Sequence, residues 1–494
     1  MKRKGLLMIG LWAGGIGLLQ GQEQETGVQA DEIPVAELEV VEEPVATMSG
    51  GMDVVVTGTR TMETSILDVP QTINSVDREE LDRNVYKDVD EAIRKLPNIG
   101  YAPAEGNANY WQEGFSIRGL GAQRVLVLSD GVRQSGQGVG YGGGNLNLYD
   151  MFGIERIEVL RGPASVLYGT DSFGGVINII TRKPMERTEP GVNGGARYEY
   201  DSGYDAHRAG FYGDVGNENG GVVFGGTVES SGQPNLPDGE APNQGDFDQY
   251  GFWGKADYWI SDNARLRVLG NWDLTQDVTI SENTPGPFGV PINFDLPTYE
   301  RWMVGAELEV TDINEWFVQY NTGIYWQQLN REFHRESAFT LGGFPTFGPP
   351  GSTTSAAYVS TVDTDDTVNT WEWQNVAVLQ FGDHELTVGT DLGFDQADLP
   401  ETEVQSFLFP TGPPAIGGFP ATITNERNRA DALQTRFGVF AQDRWDLYPF
   451  ALISGVRADF FDVEDDASGQ SANGAGVSGN LSGLYYHSDT QSSF

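Results

Sequence analysis

From about residue 190 onward the chain repeats one unit: a run of roughly ten residues with polar and apolar side chains in alternation, joined to the next by connections that are short and long by turns. About twelve runs can be placed, at 193–201, 205–215, 219–230, 248–260, 264–274, 300–311, 315–328, 368–381, 384–396, 431–446, 449–461 and 477–487. In Phe437-Gly438-Val439-Phe440-Ala441-Gln442-Asp443-Arg444-Trp445 the period of two sends 437, 439, 441, 443 and 445 to one face and 438, 440, 442 and 444 to the other. Tight turns at Ser261-Asp262-Asn263, Thr311-Asp312-Ile313-Asn314, Gly382-Asp383 and Leu447-Tyr448-Pro449 alternate with long segments at 231–247, 275–299, 329–367 and 397–430. Loops that long are uncommon in a compact soluble sandwich. They suit a transmembrane antiparallel β-barrel with tight turns at one rim and long loops at the other. A secreted repetitive β-protein such as a surface adhesin is the alternative that the pattern leaves open.

The amino terminus argues for export. Lys2-Arg3-Lys4 precedes an apolar run from Gly5 to Leu19, so residues 1–21 read as a secretory signal peptide. The run is shorter than the ~20 residues a membrane-spanning helix needs. No later apolar run is long enough to cross as a helix, which leaves strands as the only way for this chain to span a bilayer. Gln22 to Met52 carries eight acidic residues and no lysine or arginine, as expected of a flexible acidic leader. It ends in the β-prone stretch Asp53–Arg60, either an edge strand of the next domain or a segment held ready to add itself to a partner's sheet.

Composition excludes several function classes. Acidic residues number 71 against 30 basic, a formal charge of −41 that repels phosphate backbones and argues against nucleic acid as a partner. Without cysteine there can be no disulfide, thiolate metal site or sulfur redox chemistry. The four histidines have no neighbour at metal-ligand spacing, so no metal or other cofactor is expected. Gly138-Val139-Gly140-Tyr141-Gly142-Gly143 satisfies G-x-G-x-x-G in form, but Gly144-Asn145-Leu146-Asn147 starts no helix to receive a pyrophosphate. No catalytic motif stands out, and no enzyme is expected.

Residues 61–187 read as a compact α+β domain. Asp77 caps a helix over Arg78–Arg83, Asp88 a second over Val89–Leu96 stopped by Pro97, and strands follow at Phe115–Arg118, Arg124–Leu128, Ile154–Leu160 and Gly175–Thr181. Four phrases in this domain carry a resemblance: Phe115-Ser116-Ile117-Arg118-Gly119-Leu120-Gly121, Val125–Arg133 with its Ser129-Asp130-Gly131 turn, Ile154–Gly169 with Arg161-Gly162-Pro163-Ala164, and Gly174–Thr181. In this order they resemble the plug of TonB-dependent outer-membrane receptors, and the upstream stretch resembles that family's TonB box.

The resemblance implies a division into signal peptide 1–21, leader 22–60 with the box at 53–60, plug 61–187 and barrel from 188 to 494. The box residues would be Asp53, Val54, Val55, Val56, Thr57, Gly58 and Thr59. Arg118 and Arg161 would lock plug to barrel through acidic partners on the wall, and Tyr101, Tyr110, Trp111 and Tyr141 would form a ligand-binding apex. Barrels of this family close with about 22 strands, of which the chain supplies about half, so a fragment ending near the twelfth strand is expected. The function implied is energy-driven import of a scarce, large nutrient across the outer membrane of a Gram-negative bacterium. Its partners would be a periplasmic TonB protein, outer-membrane lipid and a ligand such as a ferric siderophore or haem. Cobalamin or an oligosaccharide would fit the same mechanism, and a passive porin or glycan-binding adhesin is the reading from another class.

Overall fold

The computed structural model describes residues 71–102, 114–121, 124–134, 146, 149–162, 164–169, 172–185, 189–233, 246–285, 291–345, 353–408 and 421–487, with short paired stretches at 55–56, 64–65 and 492–493. The expected signal peptide, most of the leader, and Tyr110, Trp111 and Tyr141 lie outside the described residues.

Local sequence builds the plug much as its turn and cap residues dictate. After the two-residue strands β1 (Val55–Val56) and β2 (Thr64–Ser65), β3 (Thr72–Asp77) leads into α1 (Arg78–Arg83), where the Asp77 carboxylate accepts the Glu80 amide at 2.8 Å. Asp88 does the same for Glu91 at 2.7 Å to open α2 (Val89–Arg94), which ends before the expected stop at Pro97. Then come β4 (Ile99–Ala102), β5 (Gly114–Ile117), β6 (Leu120–Gly121), β7 (Val125–Ser129), β8 (Val132–Arg133), β9 (Ile154–Arg161), α3 (Ser165–Tyr168) and β10 (Gly175–Thr181). A mixed sheet in the order β3-β9-β10-β7-β8, with β10 parallel to β7, forms the body of the domain. Its core gathers Val76, Ile93, Ile117, Val127, Ile157, Ile177 and Ile179. Two hairpins turn on residues with positive φ, Arg118-Gly119 between β5 and β6 and Asp130-Gly131 between β7 and β8. Two-residue turns of that hand match the strand twist.

All twelve alternating runs are strands, in one antiparallel meander. They are β11 (Gly191–Asp201), β12 (Ala206–Asn217), β13 (Gly220–Ser231), β14 (Phe247–Ser261), β15 (Ala264–Pro285), β16 (Pro291–Thr311), β17 (Phe317–Pro345), β18 (Thr353–Phe381), β19 (His384–Leu408), β20 (Ala421–Leu447), β21 (Phe450–Asp465) and β22 (Gln470–His487), with a short β23 (Ser492–Ser493) behind them. Among the described residues no pairing joins β11 to the far end of the sheet. The expected long connections need correction. Most of 275–299, 329–367 and 397–430 is strand, because β15 to β20 continue their pairing far past the alternating runs. Runs such as Thr361-Val362-Asp363-Thr364-Asp365-Asp366-Thr367 are polar on both faces, so period-two hydrophobicity fades while the ladder continues.

The sheet is apolar outside and largely polar inside, apart from an inward apolar cluster of Phe247, Val278, Leu296, Tyr299, Leu329, Val368 and Leu399. On β20, Phe437, Val439 and Trp445 are exposed while Gly438 and Phe440 are buried against the plug side, the two faces the period assigned. Exposed aromatics cluster at the tight-turn rim in Tyr258, Trp316, Phe381, Trp445, Tyr448, Phe450 and Tyr485, and again further up at Trp302, Trp371, Trp373 and Phe394. From Phe381 to Trp371 the strand climbs ten steps, about 34 Å along its length and about 26 Å at a ~40° tilt. That equals the ~25 Å height of an outer-membrane apolar band bounded by aromatic girdles.

Candidate functional site between the plug and the sheet

The plug sits on the inner face of the sheet, and polar side chains make the principal links. At the tip of the β7–β8 hairpin, Asp130 accepts the Thr181 amide at 3.0 Å and its hydroxyl at 2.7 Å, which fixes the carboxylate. Lys255 of β14 donates to that carboxylate at 2.7 Å and to the Thr181 carbonyl at 3.0 Å. The lysine is only 4% exposed, so this is a buried ion pair whose remaining lone pairs and protons are well used.

Further along the hairpin, Arg301 of β16 donates to the Gln134 side chain and to Asp273 of β15, both at 2.7 Å, and its guanidinium lies 4.3 Å from the Tyr149 ring centre. Burial pushes the Tyr149 phenol up to about 12 despite that cation, so it stays protonated. Gln327 of β17 donates to the Arg133 carbonyl at 2.7 Å, and Arg133 lies within electrostatic reach of Glu372 on β18 and Asp459 on β21.

Two more anchors hold the other flank. Asp150 accepts Thr227 Oγ1 of β13 at 2.5 Å and Trp253 Nε1 of β14 at 2.8 Å, and burial raises its carboxyl above the ordinary range. Arg208 of β12, paired with Glu229 at 2.7 and 2.9 Å, donates to the Lys87 carbonyl at 2.8 Å and to that of Tyr86 at 3.3 Å, at the entrance to α2. Apolar contact is local: Val132 packs with Leu269, Met303 and Tyr325, and Leu167 and Tyr168 of α3 share a cluster with Val376 and Phe440.

The residues expected to lock plug to wall take a different position. Arg118 is exposed, because it occupies the turn between β5 and β6 and does not continue the strand, with φ at 53°. Its Nη1 lies over Gly162, where a Cβ would approach it to 3.2 Å. Arg161 is buried and donates to the Pro97 carbonyl at 2.5 Å and to the Asn74 side chain, both within the plug. Burial, reinforced by nearby Arg118, draws its pKa down. Among the described residues no wall carboxylate lies at ion-pair distance from either. Tyr101 has its backbone in β4, paired with Phe115. Within the expected box, Val55 and Val56 pair with Ser65 and Thr64.

Sequence reasoning missed Asp130, Asp150, Arg208, Lys255 and Arg301 as anchors. A signal existed in the strands. On β14 the phase of Tyr250, Phe252 and Tyr258 points outward, so Trp253, Lys255 and Asp257 had to point in, where a charge needs a partner.

Residues 65–176 match the family model for the TonB-dependent receptor plug domain. A curated relative, the iron-regulated outer membrane virulence protein of Vibrio cholerae, is 38% identical over 131 residues, which is 25% of this chain and 19% of that protein. Among solved structures, the copper transporter OprC superposes with a TM-score of 0.66 at 14% identity, covering 86% of this chain and 64% of that one. The pyoverdine outer membrane receptor FpvA of Pseudomonas aeruginosa gives 0.63 at 18% identity, covering 88% and 63%. The chain thus spans less than two thirds of each of these proteins.

Proposed function

From a chain that carries a TonB-dependent receptor plug domain ahead of a receptor-type antiparallel sheet, we propose that the whole protein imports an iron chelate across the outer membrane of a Gram-negative bacterium. A TonB protein in the periplasm would supply the work, and the ligand would be a ferric siderophore or haem. Iron is favoured because the sequence relative is named as iron-regulated and one of the solved neighbours is a pyoverdine receptor.

The observation that carries the reading is the polar seat of the plug. Lys255–Asp130, Arg301–Gln134 and Gln327 to the Arg133 carbonyl are contacts that water can take over as the plug shifts. A seat made wholly of apolar area would cost about 25 cal/mol for each Å² pulled apart. Motion of the plug against the wall is therefore accessible to a pulling motor, which a passive porin would have no use for. At the box, the short β1 strand supports a segment able to trade its present partner for a strand of the motor's sheet.

Two measurements test this with the full-length gene in cells lacking their own receptors. Uptake of radiolabelled ferric siderophores, haem and cobalamin identifies the ligand, and dissipating the proton gradient must stop it. Val55→Pro removes a backbone donor and should abolish uptake, leaving ligand binding at the cell surface intact, whereas Val55→Ile should be silent. Wild-type uptake by the proline variant would make residues 53–60 an ordinary plug edge.

A further inference from the structure

Between the plug and the lower part of the wall lies a cavity of about 440 Å³, running from the Asp130-Gly131 turn to the tight turns at Asn263 and Thr311. That volume falls in the range of small-molecule sites, ~300–1,000 Å³. Its lining is richer in basic groups than the chain as a whole. Five basic side chains, among them Lys255, Arg265 and Arg267, face it with three carboxylates, Asp130, Glu307 and Glu309, while Asp257 and Glu158, which do not line it, pair with Arg265, Arg267 and Arg156.

We propose that this cavity is a binding site for a small polycarboxylate anion. The proposal deepens the transport reading and rests on it for its physiological meaning: a carboxylate-bearing chelate would lodge here on its way past the plug. The geometry suits such a ligand. Arg267 is held in place by two bonds of 2.7 Å from its Nε and Nη2 to Asp257, which does not face the cavity, and Arg265 bonds Glu309. Guanidinium groups fixed in this way present planar donor edges to carboxylates at little further entropic cost.

The site also touches the seat of the plug. Lys255 lines the cavity with its ammonium on Asp130. A carboxylate entering there competes with Asp130 for the same protons, so occupancy loosens the β7–β8 hairpin from the wall. Ligand in transit would in this way weaken the contact that bars its path.

The test is isothermal titration of the purified full-length receptor in detergent with citrate, glycerol serving as an uncharged control. Citrate is expected to bind saturably and glycerol not at all. Arg265→Gln should weaken citrate about tenfold or more, the worth of one charge-assisted hydrogen bond. Glu309→Gln, which removes one of the two carboxylates paired with Arg265 and leaves Asp257, should strengthen it several-fold, a gain that a misfolded variant would not give. Saturating citrate should also speed amide exchange in residues 125–133. Absence of saturable binding, or equal affinity in wild type and both variants, overturns the proposal. No proton gradient or motor enters this measurement, so its failure leaves the energised-uptake test standing, and failure of that test leaves the anion site to be judged by titration alone.

Discussion

In the plug, Ile157, Ile177 and Ile179 point into a dry interior, whereas in the sheet Phe437, Val439 and Val456 point out and the interior belongs to Lys255, Arg301, Asp273 and Arg457. The plug strands are apolar on both faces and buried on both, as β7 and β10 show along nearly their whole length, whereas the sheet strands alternate and turn their apolar face outward. The difference lies in the surroundings. The plug must remove its apolar surface from water, while the sheet meets hydrocarbon outside and must satisfy polar groups within. Where the regions meet, the seat combines ion pairs and hydrogen bonds with two apolar contacts, one through α3 to Val376 and Phe440 and one around Val132.

That contrast breaks most visibly at Lys255. Lys255→Met leaves Asp130 buried without its counter-charge, and should cost the plug seat about 3–5 kcal/mol. Hydrogen exchange over residues 125–133 reads the loss; protection equal to wild type would mean that the hairpin is held by its own Thr181 contacts. Next in size is the outer face. Val439→Arg puts a charge among Phe437, Val456 and Phe460, and should destabilise the sheet in a bilayer by about 2–4 kcal/mol, falling towards zero in a charged-detergent micelle. A cost independent of solvent would show that this face meets protein and not lipid. Within the plug, Arg161→Ala removes two donors from a buried site and should cost about 1–3 kcal/mol, against little for Arg118→Ala at an exposed turn. Equal effects in thermal unfolding would restore a shared role for the two arginines.

Legibility in the sequence divided along the same line. Strand positions could be read from alternation, since every run that placed Tyr250, Val439 or their like on one phase had an apolar solvent to select it. Cap and turn residues gave the plug, with Asp77 and Asp88 acting through bonds to amides three residues on and Asp130-Gly131 through two positive φ angles. Upper strand lengths were lost because Thr361 to Thr367 are polar on both faces, leaving no periodic signal while the backbone ladder persists. The seat was hidden for a different reason. Lys255 finds Asp130 across 125 residues, and the pairing depends on sheet curvature that no local pattern records. Arg118 was misplaced because Arg-Gly reads as strand until two positive φ angles make it a turn.

The smallest effect tests whether the seat responds to acid as a buried group should. Asp150 is held by Thr227, Trp253 and the Phe152 amide, but burial outweighs those bonds and raises its carboxyl above the ordinary value of 3.8, with Asp273 adding to the rise. A carboxyl that is harder to ionise in the folded protein than in the unfolded chain stabilises most below pH 3.8, and that contribution drains away as pH climbs through the raised value. Hydrogen exchange of Met151 to Ile154, corrected for the intrinsic pH dependence of exchange, should therefore quicken slightly as pH rises from 3.8. In Asp150→Asn there is no proton to lose, and the slope at 151–154 should vanish. If the slope persists there, some other group controls this flank, and the three bonds to Asp150 hold it equally well in both states.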